Sequence, residues 1–207
     1  MKLVKLTLFY LAIIMLAMVL SLAGVRLSIS LGIFALIVLA MIYRHIHIVF
    51  RTNNMQLVDK LVKDRKKEPF YAYLHEIAYG TKEDQLRSLD VVIMKYKQPA
   101  VKYNYKFVKA IMEENLEDAK DAADNINKEP LASYAKCYIA ALEGRTADMR
   151  SDQLTQPWMQ PAIEAIYAYT TKNAAAFQQY QKESIELARG VQKFGLIHTF
   201  EEMKMNM

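Results

Sequence analysis

The chain has 207 residues, 53% of them hydrophobic, and a formal charge of +5, with a mean hydropathy near zero. These averages merge two unlike regions: residues 1–50 hold no Asp or Glu and only Lys2, Lys5, Arg26 and Arg44 as bases, whereas all 22 acids lie further on. The charge is +4 over residues 1–50, +4 over 51–67 (six bases, two acids) and −3 over 68–207. The C-terminal part therefore lacks the extended basic face that phosphate contacts require, which argues against nucleic-acid binding despite a pI near 9.1. One cysteine, Cys137, rules out an intramolecular disulfide framework. It lies in an apolar helical pattern with Tyr134, Tyr138 and Ala141, which reads as a buried thiol rather than a nucleophile.

Leu6 to Val25 is an uncharged run of 20 residues. At ~1.5 Å per residue it reaches about 30 Å, the thickness of a bilayer's hydrocarbon core. A second uncharged run, Leu27 to Tyr43, has 17 residues, the lower end of the spanning range. Helices satisfy their own backbone groups in lipid, and an open sheet does not. Residues 1–50 are thus expected to form a transmembrane hairpin, with spans near 6–25 and 27–43 and a tight turn at Gly24 and Arg26. Bases cluster before the first span and after the second, so both termini are expected in the cytoplasm, as in a bacterial inner-membrane protein. Tyr10 and Tyr43 stand where interfacial aromatics occur. The competing reading is a cleaved signal peptide ending at Ser21-Leu22-Ala23, but the apolar run exceeds the usual length and a second run follows at once. His45 and His47 are two apart and point away from each other in a helix, so they make no chelating pair.

Residues 51–67 read as a connecting helix: Leu57, Val58, Leu61 and Val62 recur at helical spacing between charged neighbours. Lys63, Arg65, Lys66 and Lys67 are candidate contacts for lipid headgroups.

Residues 68–207 carry a period. Pro69, Pro99, Pro130 and Pro161 are separated by 30, 31 and 31 residues, and proline is favoured in a helix's first turn, where its missing N–H costs nothing. Each helix so marked runs to a residue able to take the left-handed conformation, namely Gly80, Asn115, Gly144 and Asn173, after which a second helix begins. The third pair is the weakest, because Asp148, Arg150, Ser151 and Asp152 interrupt its second helix and Pro157 and Pro161 follow, leaving a loop over Gln153 to Pro161 in which Trp158 is a candidate anchor.

With its Leu116-Glu117-Asp118-Ala119-Lys120-Asp121-Ala122-Ala123 segment running to Pro130, the region resembles the tetratricopeptide-repeat class over roughly residues 68–190. The resemblance implies antiparallel helix pairs stacked in a superhelix whose first helices line a concave groove. A compact bundle of helical hairpins fits the same period. The expected fold is therefore all-α: a two-helix transmembrane hairpin followed by a tetratricopeptide-like stack of about four pairs.

Chemistry has few residues to work with. His75-Glu76 has Tyr79 where a zinc-peptidase motif needs a second histidine, His198 stands apart, and no glycine-rich phosphate loop or G-x-S-x-G elbow occurs. Adjacent acids such as Glu113-Glu114 diverge on a helix, whereas acid/base catalysis needs convergence. No enzyme activity, cofactor or metal is expected. Nine of the 13 tyrosines fall in the first helices of the pairs, so Tyr73, Tyr103, Tyr105, Tyr134 and Tyr167 are candidates for a partner-binding groove. The expected function is a membrane-tethered interaction or scaffold module whose partners are membrane lipid and another protein or peptide. The alternative is an accessory subunit that acts through its hairpin, with Ala12, Ala17, Ser21, Gly24, Gly32, Ala35 and Ala40 allowing close helix packing.

Overall fold

The structure, a computed structural model, describes residues 2–207, with side chains described at Thr7, at Leu11 and from Ile13 onward. The side chains of Lys2, Lys5, Tyr10 and Ala12 lie outside the described residues. Among the described residues the chain is all-α, with eleven α-helices, one short 3-10 turn and no strand. It divides into two units, Met1–His47 and Ile48–Met207.

In the first unit α1 spans Lys2–Leu22 and α2 begins at Leu27. Gly24 takes φ +67° and closes α1: its N–H donates to the Ser21 carbonyl at 3.1 Å, and the Val25 N–H donates to Leu20 at 3.1 Å. This double closure needs a left-handed residue, which glycine supplies at no steric cost. The second helix, α2, is Leu27–Phe50, longer than the apolar run alone indicates because Arg44, His45 and His47 continue it. At 24 residues it is the one helix among the described residues long and apolar enough to cross a membrane, and none of that apolar stretch is buried. Ile13–Leu22 is a shorter apolar stretch of α1.

The second unit opens on α3, Met55–Arg65, whose N-terminus is closed by the Asn54 side chain accepting from the Gln56 and Leu57 N–H groups. Then come α4 (Pro69–Tyr79), α5 (Lys82–Lys95), α6 (Pro99–Met112), α7 (Leu116–Asp124), α8 (Leu131–Leu142), α9 (Met159–Thr170), α10 (Ala174–Leu187) and α11 (Gly190–Met205). Pro69 and Pro99 do open their helices. Pro130 stands one residue before α8, and Pro161 is the third residue of α9. The second helix of the third pair shrinks to a 3-10 turn at Thr146–Asp148, where Arg145 pairs with Glu143 and Asp148. The fourth pair's second helix, which the sequence pattern runs from Ala175 to Phe194, is two helices, divided at Ala188 and Arg189, which are extended.

The breaks between paired helices follow one design with a correction to its register. Glu114 (φ 58°), Gly144 (φ 74°) and Lys172 (φ 54°) are the left-handed residues, whereas Asn115 and Asn173 have negative φ and cap the next helix by accepting from the Asp118 and Ala176 N–H groups. Asparagine is suited to both roles, and here its carbonyl does more as an acceptor for an otherwise orphaned donor. Gly80 is not left-handed either (φ −95°). A Cβ there meets the Glu76 carbonyl oxygen and the Asp84 Cβ at 3.0 Å, so tightness selects glycine. Thr81 and Asp84 then close α5 with a reciprocal capping box.

The apolar faces meet in four clusters. The largest joins Ile163, Ile166 and Phe177 of α9 and α10 to Leu196 and Phe200 of α11. A second holds Phe107, Ala119, Ala123 and Ile139 of α6 to α8, and a third sets Phe194 of α11 among Val58, Val62, Tyr71 and Leu74. The fourth joins Tyr73 to Leu89 and Val92. Successive helices from α3 to α10 pack in order, and α11 then packs on α10, α3 and α4. The last helix thus returns to the first ones, unlike an open solenoid in which each repeat touches only its neighbours.

Candidate functional site

Tyrosines of the first helices meet other aromatic rings in depth. Tyr73 on α4 is 8% exposed and stands edge-on to Tyr105 of α6, ring centroids 5.8 Å apart. Tyr134 on α8 is edge-on to Tyr138 and to Trp158, at 6.2 and 5.3 Å, and Tyr138 to Phe107 at 5.6 Å. Such edge-to-face pairs add about 0.5–1.5 kcal/mol beyond area burial. Burial pushes the hydroxyls of Tyr73, Tyr105, Tyr134 and Tyr138 well above the usual phenol range. Neighbouring hydroxyls add to it, and at Tyr73 the Glu202 carboxylate of α11 does so too. Tyr103 is half-buried with Lys102 and Lys106 over its ring, at 5.9 and 5.2 Å. Tyr167 is half-buried against the α9–α10 cluster.

Of the candidate groove tyrosines, Tyr105 lines an open cavity of about 600 Å³ with Phe70, Tyr96, Ala100, Val101 and Lys128. That volume is in the range of ligand pockets, and its walls combine apolar surface with a single cation. Trp158 is half-buried, and its carbonyl accepts from the Ser184 hydroxyl at 3.0 Å, which ties the loop to α10. Cys137 is buried and its thiol is pushed up, chiefly by desolvation.

Of the candidate headgroup bases, Lys63 pairs with Asp59 at 2.8 Å and lies 4.6 Å from the Tyr79 ring centroid. Arg65 is 3.7 Å from Glu68 and sits over Tyr71 at 5.7 Å. Lys66 and Lys67 are exposed.

A second constellation forms where α3, α4 and α11 meet, from residues that look unrelated in the sequence. The Tyr79 hydroxyl donates to Asp59 at 2.5 Å, and its ring lies 5.2 Å from His75 and 6.4 Å from His198. His198 is 3.2 Å from Glu201 and edge-on to Phe194 at 4.7 Å. One element further, Gln85 of α5 donates to Glu202 at 3.4 Å. Burial alone raises the Asp59 carboxyl, but hydrogen bonds from Lys63 and Tyr79 and the positive charges of Lys63 and His198 carry it below its ordinary 3.8. No sequence period links Asp59, Tyr79 and His198, so reading along the chain misses this joint. Among the described residues no three His, Cys, Asp or Glu side chains are grouped to hold a metal ion.

No family model matches the chain, and no curated protein or solved structure matches it.

Proposed function

We propose that this chain is a membrane-tethered interaction module: a two-helix hairpin anchors it, and a tetratricopeptide-like helical domain on the cytoplasmic side binds a protein or peptide. The observation that carries the reading is α2, a helix long and apolar enough to cross a membrane and with none of its apolar stretch buried. A buried helix of a soluble core would hide such a surface, whereas lipid solvates it. The aromatic cavity at Tyr105 and Tyr96 supports partner binding, because tyrosine supplies apolar area and a hydroxyl together. Exposed Lys66 and Lys67 then meet anionic headgroups.

The test is photo-crosslinking in native membranes with a reactive side chain placed at Tyr96 or Tyr105, and with one at Lys120 on α7 as a control. A discrete protein adduct at the first two positions and none at the third supports the module. Adducts indistinguishable among the three sink it. Extraction of the chain by alkaline carbonate would overturn the anchor, and a reporter fused to Met207 that is active only outside the cell would overturn the orientation.

The accessory-subunit reading draws on one observation. A Cβ built at Gly32 on α2 meets nothing within 4 Å, so that face has room for another transmembrane helix. Replacing the first 47 residues with an unrelated anchor separates the two readings, since the module keeps its crosslinks and the accessory subunit loses them.

A further inference from the structure

The cavity beside Tyr96 and Tyr105 sits where α4 and α6 begin and where α7 gives way to α8. Phe70 is the second residue of α4, Gln98, Ala100 and Val101 flank the start of α6, and Lys128 stands in the turn before α8. On α6, Val101 and Lys102 lie one turn before Tyr105, so Lys102 shares the face that forms the wall. The Tyr105 hydroxyl lies in the field of Tyr96, and among the described residues no protein group accepts a hydrogen bond from either phenol. Two aromatic walls thus each present a donor that the fold itself leaves unused.

The charge around this cavity has one sign. Residues 95–109 hold Lys95, Lys97, Lys102, Lys106 and Lys109 and no acid. Lys109 is engaged with Asp90 at 2.6 Å, and Lys102 and Lys106 lie over the Tyr103 ring rather than against a carboxylate. Lys97 and Lys128 are exposed, and among the described residues neither is paired with an acid. The acids next to these segments are occupied: Glu68 is 3.7 Å from Arg65, and Glu129 accepts from the Ser133 N–H at 3.1 Å.

We infer that this cavity takes an acidic peptide segment of a partner protein: one large apolar side chain enters between Phe70, Tyr96 and Tyr105, and carboxylates flanking it meet Lys97, Lys102 and Lys128. The inference rests on the interaction reading above and names its partner class. Complementary charge carries it, since unpaired cations surround an apolar floor and attract a chain that bears several negative groups. The apolar side chain supplies the buried anchor, and the phenols donate to a carboxylate or a backbone carbonyl beside it. A phosphate headgroup fits less well. It favours the planar fork of arginine, and no arginine lines this cavity. The lysines instead stand on separate segments, as point charges suited to carboxylates spread along a chain.

The experiment uses the full chain in nonionic detergent micelles and three labelled synthetic peptides, read by fluorescence anisotropy. In the first, one tryptophan stands between pairs of glutamates; in the second, lysines replace the glutamates; in the third, alanine replaces the tryptophan. The first is expected to bind at least ten-fold more tightly than either of the others, and to weaken as salt is raised. Lys97→Gln combined with Lys128→Gln, both at exposed positions, is expected to weaken it at least ten-fold and to flatten the salt dependence. Tyr105→Phe is expected to weaken it roughly five-fold through the lost donor. Lys82→Gln, at the exposed start of α5, is expected to change nothing.

Equal binding of the three peptides, or no binding of the first, would overturn the inference, as would binding of the first that the double lysine variant leaves unaltered. Phosphatidylglycerol retained by the unaltered chain and lost from the double variant, with no peptide bound, would assign the site to lipid. Self-association of the unaltered chain that the double variant abolishes would assign it to a second copy. Each of these overturns the peptide. The outcomes are separable from the interaction reading: a discrete protein adduct at Tyr96 or Tyr105 that survives the double variant keeps the module and removes the acidic partner. Peptide binding without any adduct in native membranes does the reverse.

Discussion

The two sides of α11 solve the same packing problem with different chemistry. On the α9–α10 side, Ile163, Phe177 and Phe200 are each 2% exposed or less, and Phe177 and Phe200 stand edge-on at 5.9 Å. On the α3–α4 side one phenylalanine, Phe194, is buried among Val58, Val62, Tyr71 and Leu74, and beside it His198, Tyr79 and His75 add a partly exposed polar margin. Apolar burial is independent of pH and costs its full value when lost. A net hydrogen bond is worth only about 0.5–1.5 kcal/mol, because water replaces it. The comparison separates a side closed by apolar burial alone from a side where a polar margin is added to it.

The largest effect is expected where the apolar side is cut. Phe200→Ala leaves a cavity between α10 and α11 and is expected to cost about 3–5 kcal/mol, read as a fall in the denaturant midpoint of the full chain. Both sides of α11 lose protection in that variant, since a helix released from its stronger side has no hold on its weaker one. A loss confined to the α3–α4 side would reverse the ranking of the two sides.

Smaller and opposite in sign is the effect of relieving the helix junctions. Glu114 and Lys172 are held left-handed, at a cost of roughly 1–2 kcal/mol for a side-chain-bearing residue. Glu114→Gly and Lys172→Gly are each expected to stabilise the domain by about 1 kcal/mol, after the extra chain entropy of glycine is set against the relief. Because both residues stand at junctions outside α11, the gain is expected in thermal midpoint without a change in α11 exchange. An unchanged or lower midpoint would show that these positions carry no strain.

Those junctions also mark what the sequence discloses. Pro69 and Pro99 reveal helix starts because a missing N–H is tolerated only there, and the helical character of residues 51–207 is legible from apolar spacing. The register of the left-handed residue is not legible, because asparagine at 115 and 173 serves equally well as a left-handed residue or as a cap, and only the hydrogen bonds of the preceding turn decide. The division at Ala188 and Arg189 is hidden for another reason: the close approach that requires Gly190 is to Val49, far away in the chain. The α3–α4–α11 joint escapes reading altogether, since Asp59, Tyr79 and His198 come from three helices and the local partners of the histidines, Glu76 and Glu201, do not point to that meeting. For the tyrosines, spacing places them in first helices but does not separate Tyr105, which lines a cavity, from Tyr73, which is buried.

The smallest expected effect sharpens the comparison through pH. Tyr79→Phe removes one donor to Asp59 and is expected to cost up to about 1 kcal/mol at neutral pH, seen as faster exchange of α11 and of the end of α4 rather than as global unfolding. The folded-state pKa of Asp59 lies below its ordinary 3.8, so its stabilising contribution is fully present above that value and is lost as pH falls through the folded one. The unaltered protein should therefore loosen at this joint on acidification below about pH 4, before the apolar side responds. In Tyr79→Phe the carboxyl has less to lose, so the exchange rates of variant and unaltered protein converge as pH falls. Parallel curves, separated equally at pH 7 and pH 3, would mean that the Tyr79 hydroxyl acts on α11 without involving the Asp59 charge, and the joint would then lose its electrostatic account.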